Sequence, residues 1–166
     1  PNQRVNQVAD MAIEVAQNMY PIVAGNGELT SVINQVQYDR LSSLIADAQA
    51  KGGKAVSHAP PSDADRRMPL TVITDVTDDM DTMSDEIFGP VLPILPYDNL
   101  DDALTQIRMR PRPLALYWFG ENKGREDRIK ISAMAGGITI NDTLLHIAQE
   151  NLPLGGVGDS GMGAYH

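Results

Sequence analysis

Between residues 35 and 140 the sequence alternates between helical patterns and short apolar runs, and this alternation constrains the fold more than any other feature. Apolar residues at three- and four-residue spacing predict helices at 3–19, 35–51, 98–109 and 123–134. Short apolar runs predict strands at 54–57, 70–76, 91–95, 114–119 and 138–140. Strands that alternate with helices form βαβ units, so we predict an α/β fold, layered α/β/α with a mainly parallel sheet.

Local signals support individual elements. Asn34 is a typical N-cap for the second helix, and the pair at 52–53, Gly-Gly, is a typical helix end. The run 114–119 is almost entirely apolar, which predicts a strand buried on both faces, as in a parallel sheet.

Length and composition limit the class of protein. The 166 residues suffice for one domain with a core, and the 42% apolar content is typical of globular proteins. The formal net charge of −9 argues against binding to nucleic acid or to an anionic membrane surface. No apolar run approaches the roughly 20 residues of a membrane-spanning helix, and the N-terminus lacks a signal-peptide pattern. We therefore expect a cytoplasmic protein.

The sequence contains no cysteine. Disulfides, thiolate metal sites and cysteine nucleophiles are thereby excluded for these residues. The acidic stretch 75–86 places oxygen-bearing side chains at positions 1, 3, 5, 7 and 12 of a calcium loop, but Met80 stands where that loop needs glycine. We predict a solvated acidic loop and no metal site.

The C-terminal stretch 155–163 is rich in glycine. Gly156, Gly158 and Gly161 satisfy the spacing G-x-G-x-x-G, which in dinucleotide-binding folds lies between a strand and a helix. Too few residues follow for such a unit, so we interpret the stretch as a loop whose glycines permit close backbone packing.

The most informative segment is 85–94, which reads Asp-Glu-Ile-Phe-Gly-Pro-Val-Leu-Pro-Ile. Gly89 and Pro90 mark a turn that leads into an apolar strand. Glu86 and Phe88 precede that strand and are expected at the edge of a sheet, where open α/β folds place ligands. From the residues alone, a helix cap or a solvated loop charge is the simpler reading of Glu86.

Four segments, in order along the chain, resemble motifs of the NAD(P)-dependent aldehyde dehydrogenases. The segment 86–91 resembles the signature E-[IE]-F-G-P-V. Further matches are S-x-I-N-x-x-x-Y-x-R-L at 31–41, P-L-A-L-Y at 113–117 and P-F-G-G-x-x-x-S-G-x-G at 153–163, with Leu154 in place of the usual Phe. The final triplet Ala-Tyr-His is similar to the class that includes coniferyl and fatty aldehyde enzymes.

The resemblance implies roles for individual residues. It implies that Glu86 holds hydroxyls of the nicotinamide ribose and that Phe88 packs beside the nicotinamide. His146 and Leu154 are expected to line the aldehyde entrance, although a structural or surface role is the simpler reading of His146. Asn141 matches an asparagine that gives structural support.

The resemblance also implies what these residues lack. Enzymes of this family attack the aldehyde with a cysteine thiolate, and no residue of 1–166 is expected to be catalytic. We predict that 1–166 is part of a catalytic domain, without the cofactor-binding domain and the C-terminal arm. The parent is expected to oxidise an aromatic or long-chain aldehyde, such as coniferyl aldehyde, with NAD or NADP, and to be a homo-oligomer. No cofactor is expected on this chain alone.

Two alternatives remain. The first is a non-catalytic acidic binding or scaffold module that retains the fold. The second is a crotonase-like or other α/β enzyme of similar composition, which does not account for several matching segments in the right order.

Overall fold

The computed structural model describes residues 1–163, and the chain divides into two compact units, Pro1–Pro96 and Tyr97–His166. Each unit has its own sheet and is described by itself. The Ala-Tyr-His triplet at 164–166 lies outside the described residues. That 1–166 is part of one catalytic domain stays a prediction.

Unit 1 opens with a 3₁₀ turn at Asn2–Arg4 and contains three helices and three strands. Their order is α1 Val5–Met19, α2 Gln35–Ala50, β1 Lys54–Ser57, β2 Thr71–Thr74, α3 Asp81–Ser84 and β3 Val91–Pro93. The predicted N-cap is confirmed, since the Asn34 side chain accepts a hydrogen bond from the Gln37 amide at 2.9 Å. The chain leaves α2 through Gly52, whose φ of 96° is readily adopted only by glycine.

The sheet of unit 1 lies between α1 and α2. The strand order is β1-β2-β3, with β1 antiparallel and β3 parallel to β2. Successive residues of β2 point to opposite faces. Ile73 packs in the cluster that includes the buried face of α2, whereas Val72 lies on the side of α1. Unit 1 therefore has the predicted α/β/α layering.

The core of unit 1 is built around α2. Leu41 and Ile73 have no exposed surface at all. They belong to a cluster of buried side chains whose members are Tyr38, Leu41, Leu44, Ala48, Met68, Ile73, Met80 and Val91. Because β3 contributes to this cluster, the core fixes the position of the loop that precedes β3.

The acidic stretch 75–86 is more ordered than the prediction of a solvated loop. It contains α3, which the sequence did not indicate. The Lys51 ammonium donates to the carbonyl of Asp79 at 2.6 Å and contacts the Asp81 carboxylate at 3.2 Å. The Asp47 carboxylate accepts a hydrogen bond from the Asp81 amide at 2.8 Å. These long-range contacts, which no local pattern reveals, tie α3 to the C-terminal end of α2.

The described residues of unit 2, 97–163, contain two helices and two strands. Their order is α4 Leu100–Arg108, β4 Ala115–Trp118, α5 Lys123–Ser132 and β5 Gly137–Ile140. Asn99 caps α4 in a capping box with Asp102. Strands β4 and β5 are parallel, and Leu116 and Trp118 pack against a core formed by Leu104, Ile129 and Ala133.

The prediction that 114–119 is buried on both faces is wrong within unit 2. Leu114 is 47% exposed and Phe119 is 61% exposed. Helices α4 and α5 cover only the face that carries Leu116 and Trp118. Tyr117 points to the opposite face, where it contacts His146. A two-stranded sheet in this unit has one helical layer, whereas the apolar run alone predicted two.

The predicted strands and long helices all occur, with bounds that differ by a few residues at their ends, and the α/β class is confirmed. Among the strands of residues 1–163, two of the three pairings are parallel. In the described part of the chain, no helix has the length and apolar character needed to cross a membrane.

Tyr38 gives unit 1 a pH-dependent contact. Burial of the ring, together with the hydrogen bond that its hydroxyl donates to the Asp63 carboxylate at 2.6 Å, raises the pKa of Tyr38 to about 12 from an ordinary value of 10.0. The folded-state pKa lies above the unfolded one. The stabilisation is therefore complete below pH 10 and is lost as the pH rises through about 12.

We expect Tyr38→Phe to remove part of the alkaline loss of stability. Between pH 10 and 12 the wild type should lose roughly 2 kcal/mol more free energy of unfolding than the variant. Urea denaturation at a series of pH values measures this difference. Asp63→Asn is expected to reduce the same dependence, and parallel pH profiles for wild type and Tyr38→Phe would contradict the assignment.

Candidate functional site

The loop 85–90 connects α3 to β3 and carries two of the residues singled out in the sequence. The carbonyl of Pro90 accepts a hydrogen bond from the Thr71 amide at 2.8 Å, which joins the loop to β2 as well. Glu86 is exposed, and its side chain has no hydrogen-bond or ion-pair partner in the part of the chain that the structure describes. Because β3 is an edge strand, this exposure agrees with a position at an open sheet edge, and it agrees equally with a solvated loop charge. Glu86 does not cap either of the helices that flank the loop.

Arg40 of α2 contacts the main chain of this loop. Its guanidinium donates to the carbonyl of Glu86 at 3.2 Å and to the carbonyl of Ile87. The Arg40 Nε donates to the Gln37 side chain at 2.9 Å, which orients the guanidinium. The segment 31–41 resembles a family motif that includes this arginine, but nothing in that motif indicates a contact 46 residues away.

Phe88 presents its ring to solvent. It is 80% exposed, and its φ of 48° lies in the left-handed region that residues other than glycine seldom adopt. The ring borders a groove of about 530 Å³. The other side chains and backbone of the groove come from Thr30, Ser31, Val32, Ile33, Gln37, Gly89 and Pro90.

The opposite wall of this groove, 30–33, is held by the loop 62–67. Arg66 donates from Nε to the carbonyl of Val32 at 3.2 Å, and the Val32 amide donates to the carbonyl of Arg66 at 2.8 Å. Hydrogen bonds from Ser62 and from the Gly25 amide hold the pKa of Asp65 below its usual range. Both walls of the groove are thus fixed by contacts between distant segments.

A larger apolar groove of about 730 Å³ adjoins the Phe88 groove. Helix α1 contributes more to its lining than any other helix or strand, and Met11, Val15 and Met19 of α1 are each more than half exposed. It shares Thr30, Val32 and Pro90 with the Phe88 groove. We place the candidate site at the smaller groove, because the loop that contributes Phe88 to it also carries the exposed carboxylate of Glu86, two residues earlier in the chain.

His146 of unit 2 packs against the sheet. Its Nδ1 lies 3.1 Å from the Thr139 hydroxyl, and its ring lies 5.9 Å from that of Tyr117. A Cβ on Gly137 would come within 2.6 Å of the His146 ring. These contacts support the structural reading of His146, and a role in lining a substrate entrance stays a prediction.

Leu154 is half-buried and precedes the glycine-rich loop of unit 2. The loop is a tight turn in which the Ser160 hydroxyl accepts a hydrogen bond from the Val157 amide at 2.9 Å. A Cβ on Gly156 would lie 2.1 Å from the Ser160 carbonyl oxygen, so only glycine fits. The close-packing interpretation is confirmed for Gly156 and Gly161, whereas Gly158 instead adopts a positive φ of 68°. Contact of Leu154 with substrate stays a prediction.

Asn141 follows β5 and ties it to the end of β4. Its side-chain oxygen accepts from the Gly120 amide at 2.7 Å, and its side-chain nitrogen donates to the Gly120 carbonyl at 3.2 Å. The φ of Asn141 is 57°, a conformation that asparagine tolerates better than most residues. The structural role implied for Asn141 agrees with these contacts.

Glu86 and Phe88 therefore share one loop of unit 1, whereas His146 and Leu154 belong to unit 2. Among the residues that the structure describes, no cluster of three or more His, Asp or Glu side chains is arranged to hold a metal ion. The side chains available at the Phe88 groove are suited to accept hydrogen bonds and to pack against a ring.

Comparison with known proteins identifies relatives over the whole chain. A sequence profile of the aldehyde dehydrogenase family matches residues 5–166. A probable coniferyl aldehyde dehydrogenase of Pseudomonas aeruginosa is 45% identical over 166 residues, covering 100% of this chain and 35% of the relative. The chain therefore spans about a third of the length of this relative.

Solved structures show the same similarity. The substrate-bound state of Staphylococcus aureus AldH superposes with a TM-score of 0.86 at 36% identity, covering 99% of this chain and 35% of that one. An NAD+ complex of an aldehyde dehydrogenase from Bacillus cereus superposes with a TM-score of 0.83 at 27% identity, covering 98% and 33%. The family profile and these superpositions agree, and the chain belongs to the aldehyde dehydrogenase family.

Proposed function

We propose that this chain is part of the catalytic domain of an aldehyde dehydrogenase that oxidises an aldehyde to a carboxylic acid with NAD or NADP. The observation that carries the proposal is the exposed, unpaired Glu86 carboxylate beside the exposed ring of Phe88. Both stand in the segment that resembles the family signature. The family match over residues 5–166 supports the same conclusion.

The residues present fit the ribose end of a nicotinamide nucleotide. An ionised carboxylate accepts hydrogen bonds from two neighbouring hydroxyls, and an exposed aromatic ring offers a flat apolar surface. We propose that Glu86 holds the ribose hydroxyls and that Phe88 packs beside the nicotinamide. The bound nucleotide would supply the hydride acceptor of the reaction.

In this proposal the chain orients the ribose of the nucleotide and shields the nicotinamide ring from water. Glu86 would set the rotation of the ribose, and a well-oriented donor–acceptor pair reacts much faster than a mobile one. Phe88 would keep water away from the adjoining ring. The nucleophilic cysteine, a general base and the dinucleotide-binding domain would come from the part of the parent that this chain does not match.

The substrate class follows from the relatives. We propose an aromatic or long-chain aldehyde such as coniferyl aldehyde, because the Pseudomonas aeruginosa relative is a probable coniferyl aldehyde dehydrogenase. His146 and Leu154 are proposed to line its entrance. A homo-oligomeric parent and a cytoplasmic location stay predictions from the sequence.

The proposal is tested in the full-length protein that contains these residues. Purified protein should reduce NAD+ or NADP+ with coniferyl aldehyde, as followed by absorbance at the reduced nicotinamide band. A full-length protein that binds neither nucleotide and has no cysteine-bearing domain would instead support the acidic binding or scaffold module.

For the 166-residue chain alone, we expect no aldehyde oxidation. The reason is chemical, because the sequence offers no thiol to attack the aldehyde. We also expect at most weak binding of NAD+, since only ribose-facing residues are present. Calorimetric titration with NAD+ and an assay with coniferyl aldehyde measure both, and micromolar affinity or steady turnover above the blank would contradict this prediction.

A further inference from the structure

The guanidinium of Arg40 is committed to the main chain of the loop that carries Glu86 and Phe88. It donates to the carbonyls of two successive residues, Glu86 and Ile87. A planar guanidinium can make two such bonds at once with a fixed geometry, which a single ammonium cannot. The bonds leave the Glu86 carboxylate and the Phe88 ring free, so Arg40 acts on their position rather than on their chemistry.

The loop needs this support because its backbone is strained. Phe88 adopts a φ of 48°, and non-glycine residues in this region persist only where the surroundings over-determine them. Directly after Phe88, Gly89 packs on Leu41, the neighbour of Arg40: a Cβ on Gly89 would lie 2.5 Å from the Leu41 methyl groups. One turn of α2 therefore holds the loop on both sides of Phe88.

The orientation of Arg40 is itself set by a series of contacts along α2. The Asn34 side chain caps the Gln37 amide at 2.9 Å. The Gln37 side chain then accepts from the Nε of Arg40, also at 2.9 Å. Because these residues are spaced by three, they lie on one side of the first two turns of the helix.

We propose that Arg40 is a positioning residue for the nucleotide site, which acts by fixing the main chain of residues 86–88 before any ligand binds. This inference rests on the proposed function for its consequence, but its structural part does not require nucleotide. It predicts that loss of the guanidinium loosens the loop in the free protein and weakens nucleotide use in the full-length protein.

The structural part is tested on this 166-residue chain by backbone ¹⁵N relaxation without nucleotide. In the wild type the amides of Ile87, Phe88 and Gly89 should show order parameters near the ~0.85 of rigid backbone, and in Arg40→Met they should fall below ~0.6. Gln37→Met should produce a smaller decrease. Arg128→Met, which removes a solvent-exposed ion pair with Asp101 in unit 2, is the matched control and should leave these amides unchanged.

The consequence is tested by kinetics of the full-length protein. Arg40→Met should raise KM for the nucleotide by about tenfold and lower kcat, with KM for the aldehyde little changed, because the loss affects the orientation of one partner only. Arg40→Lys should recover part of the loss, since an ammonium can still reach one carbonyl. Urea denaturation of each variant separates this effect from a general loss of stability.

The results discriminate between the two proposals. An unchanged order parameter at Ile87–Gly89 in Arg40→Met would overturn the positioning role, as would a mobile loop with unaltered nucleotide kinetics. If the wild-type full-length protein used neither nucleotide, the proposed function would fail. The relaxation measurement would still decide whether Arg40 holds the loop.

Discussion

In the full-length protein, Glu86→Gln is expected to lower kcat/KM for the nucleotide by roughly 10- to 100-fold, the equivalent of one charge-assisted hydrogen bond. The amide has nearly the shape of the carboxylate but loses its charge and one acceptor. The change should slow hydride transfer, because a loosely held ribose misplaces the hydride acceptor. The reactivity toward an alkylating agent of the nucleophilic cysteine that the proposed function requires should stay the same.

The control for this prediction is Asp85→Asn. Asp85 is the exposed acidic neighbour, so the variant removes the same charge from the same loop. It should change kcat/KM for the nucleotide far less than Glu86→Gln does. Neither variant should lower the free energy of unfolding of the 166-residue chain by more than about 0.5 kcal/mol, as for most surface substitutions. If Glu86→Gln left kcat/KM for the nucleotide unchanged but unfolded the 166-residue chain, Glu86 would be a structural residue.

Leu41→Ala is expected to lower the free energy of unfolding of unit 1 by about 3–5 kcal/mol. Leu41 is 0% exposed and lies in the core cluster of α2, so truncation leaves a cavity that the rigid surroundings fill only in part. Such a loss is a large share of the total stability of a typical domain. Urea denaturation followed by circular dichroism measures this loss. The control is Ile131→Ala, which should change the free energy of unfolding little because Ile131 is 86% exposed.

Gly89→Ala, measured by the same urea denaturation, tests whether Gly89 and Leu41 share one packing site. Its new methyl group would meet the Leu41 side chain at 2.5 Å, and overpacking of this kind costs about 1–3 kcal/mol. In Leu41→Ala/Gly89→Ala the methyl group enters the space that Leu41 vacates. The double variant should therefore be more stable than the sum of the single losses predicts, and strict additivity would show that the two residues do not share one packing site.

Most of the secondary structure follows from local sequence. Asn34 as an N-cap and the apolar spacing of α2 are local signals, and the structure confirms both of them. The strand at 54–57 was predicted at the bounds that β1 has. Local rules succeed here because capping and periodicity act within one or two turns of the chain.

The predictions from sequence are wrong or incomplete where contacts between distant segments determine the secondary structure or the burial of a segment. The short helix α3 lies in a stretch whose composition indicates a loop, and it is held by Asp47 and Lys51 from a different helix. The run 114–119 has the composition of a doubly covered strand, but α4 and α5 cover only one of its faces. The direction of β1 relative to β2 is likewise absent from any local pattern.

For the candidate site, the sequence alone determined the family resemblance and predicted Glu86 and Phe88 as site residues, because the run 86–91 is a contiguous motif. Only the tertiary structure revealed that Arg40 and Leu41 hold that run, at carbonyl oxygens and at a glycine. Main-chain acceptors and close approaches to a glycine leave no signature in residue identity. They exist only once α2 is packed beside β3, since partners 46 residues apart are brought together by burial of the shared core.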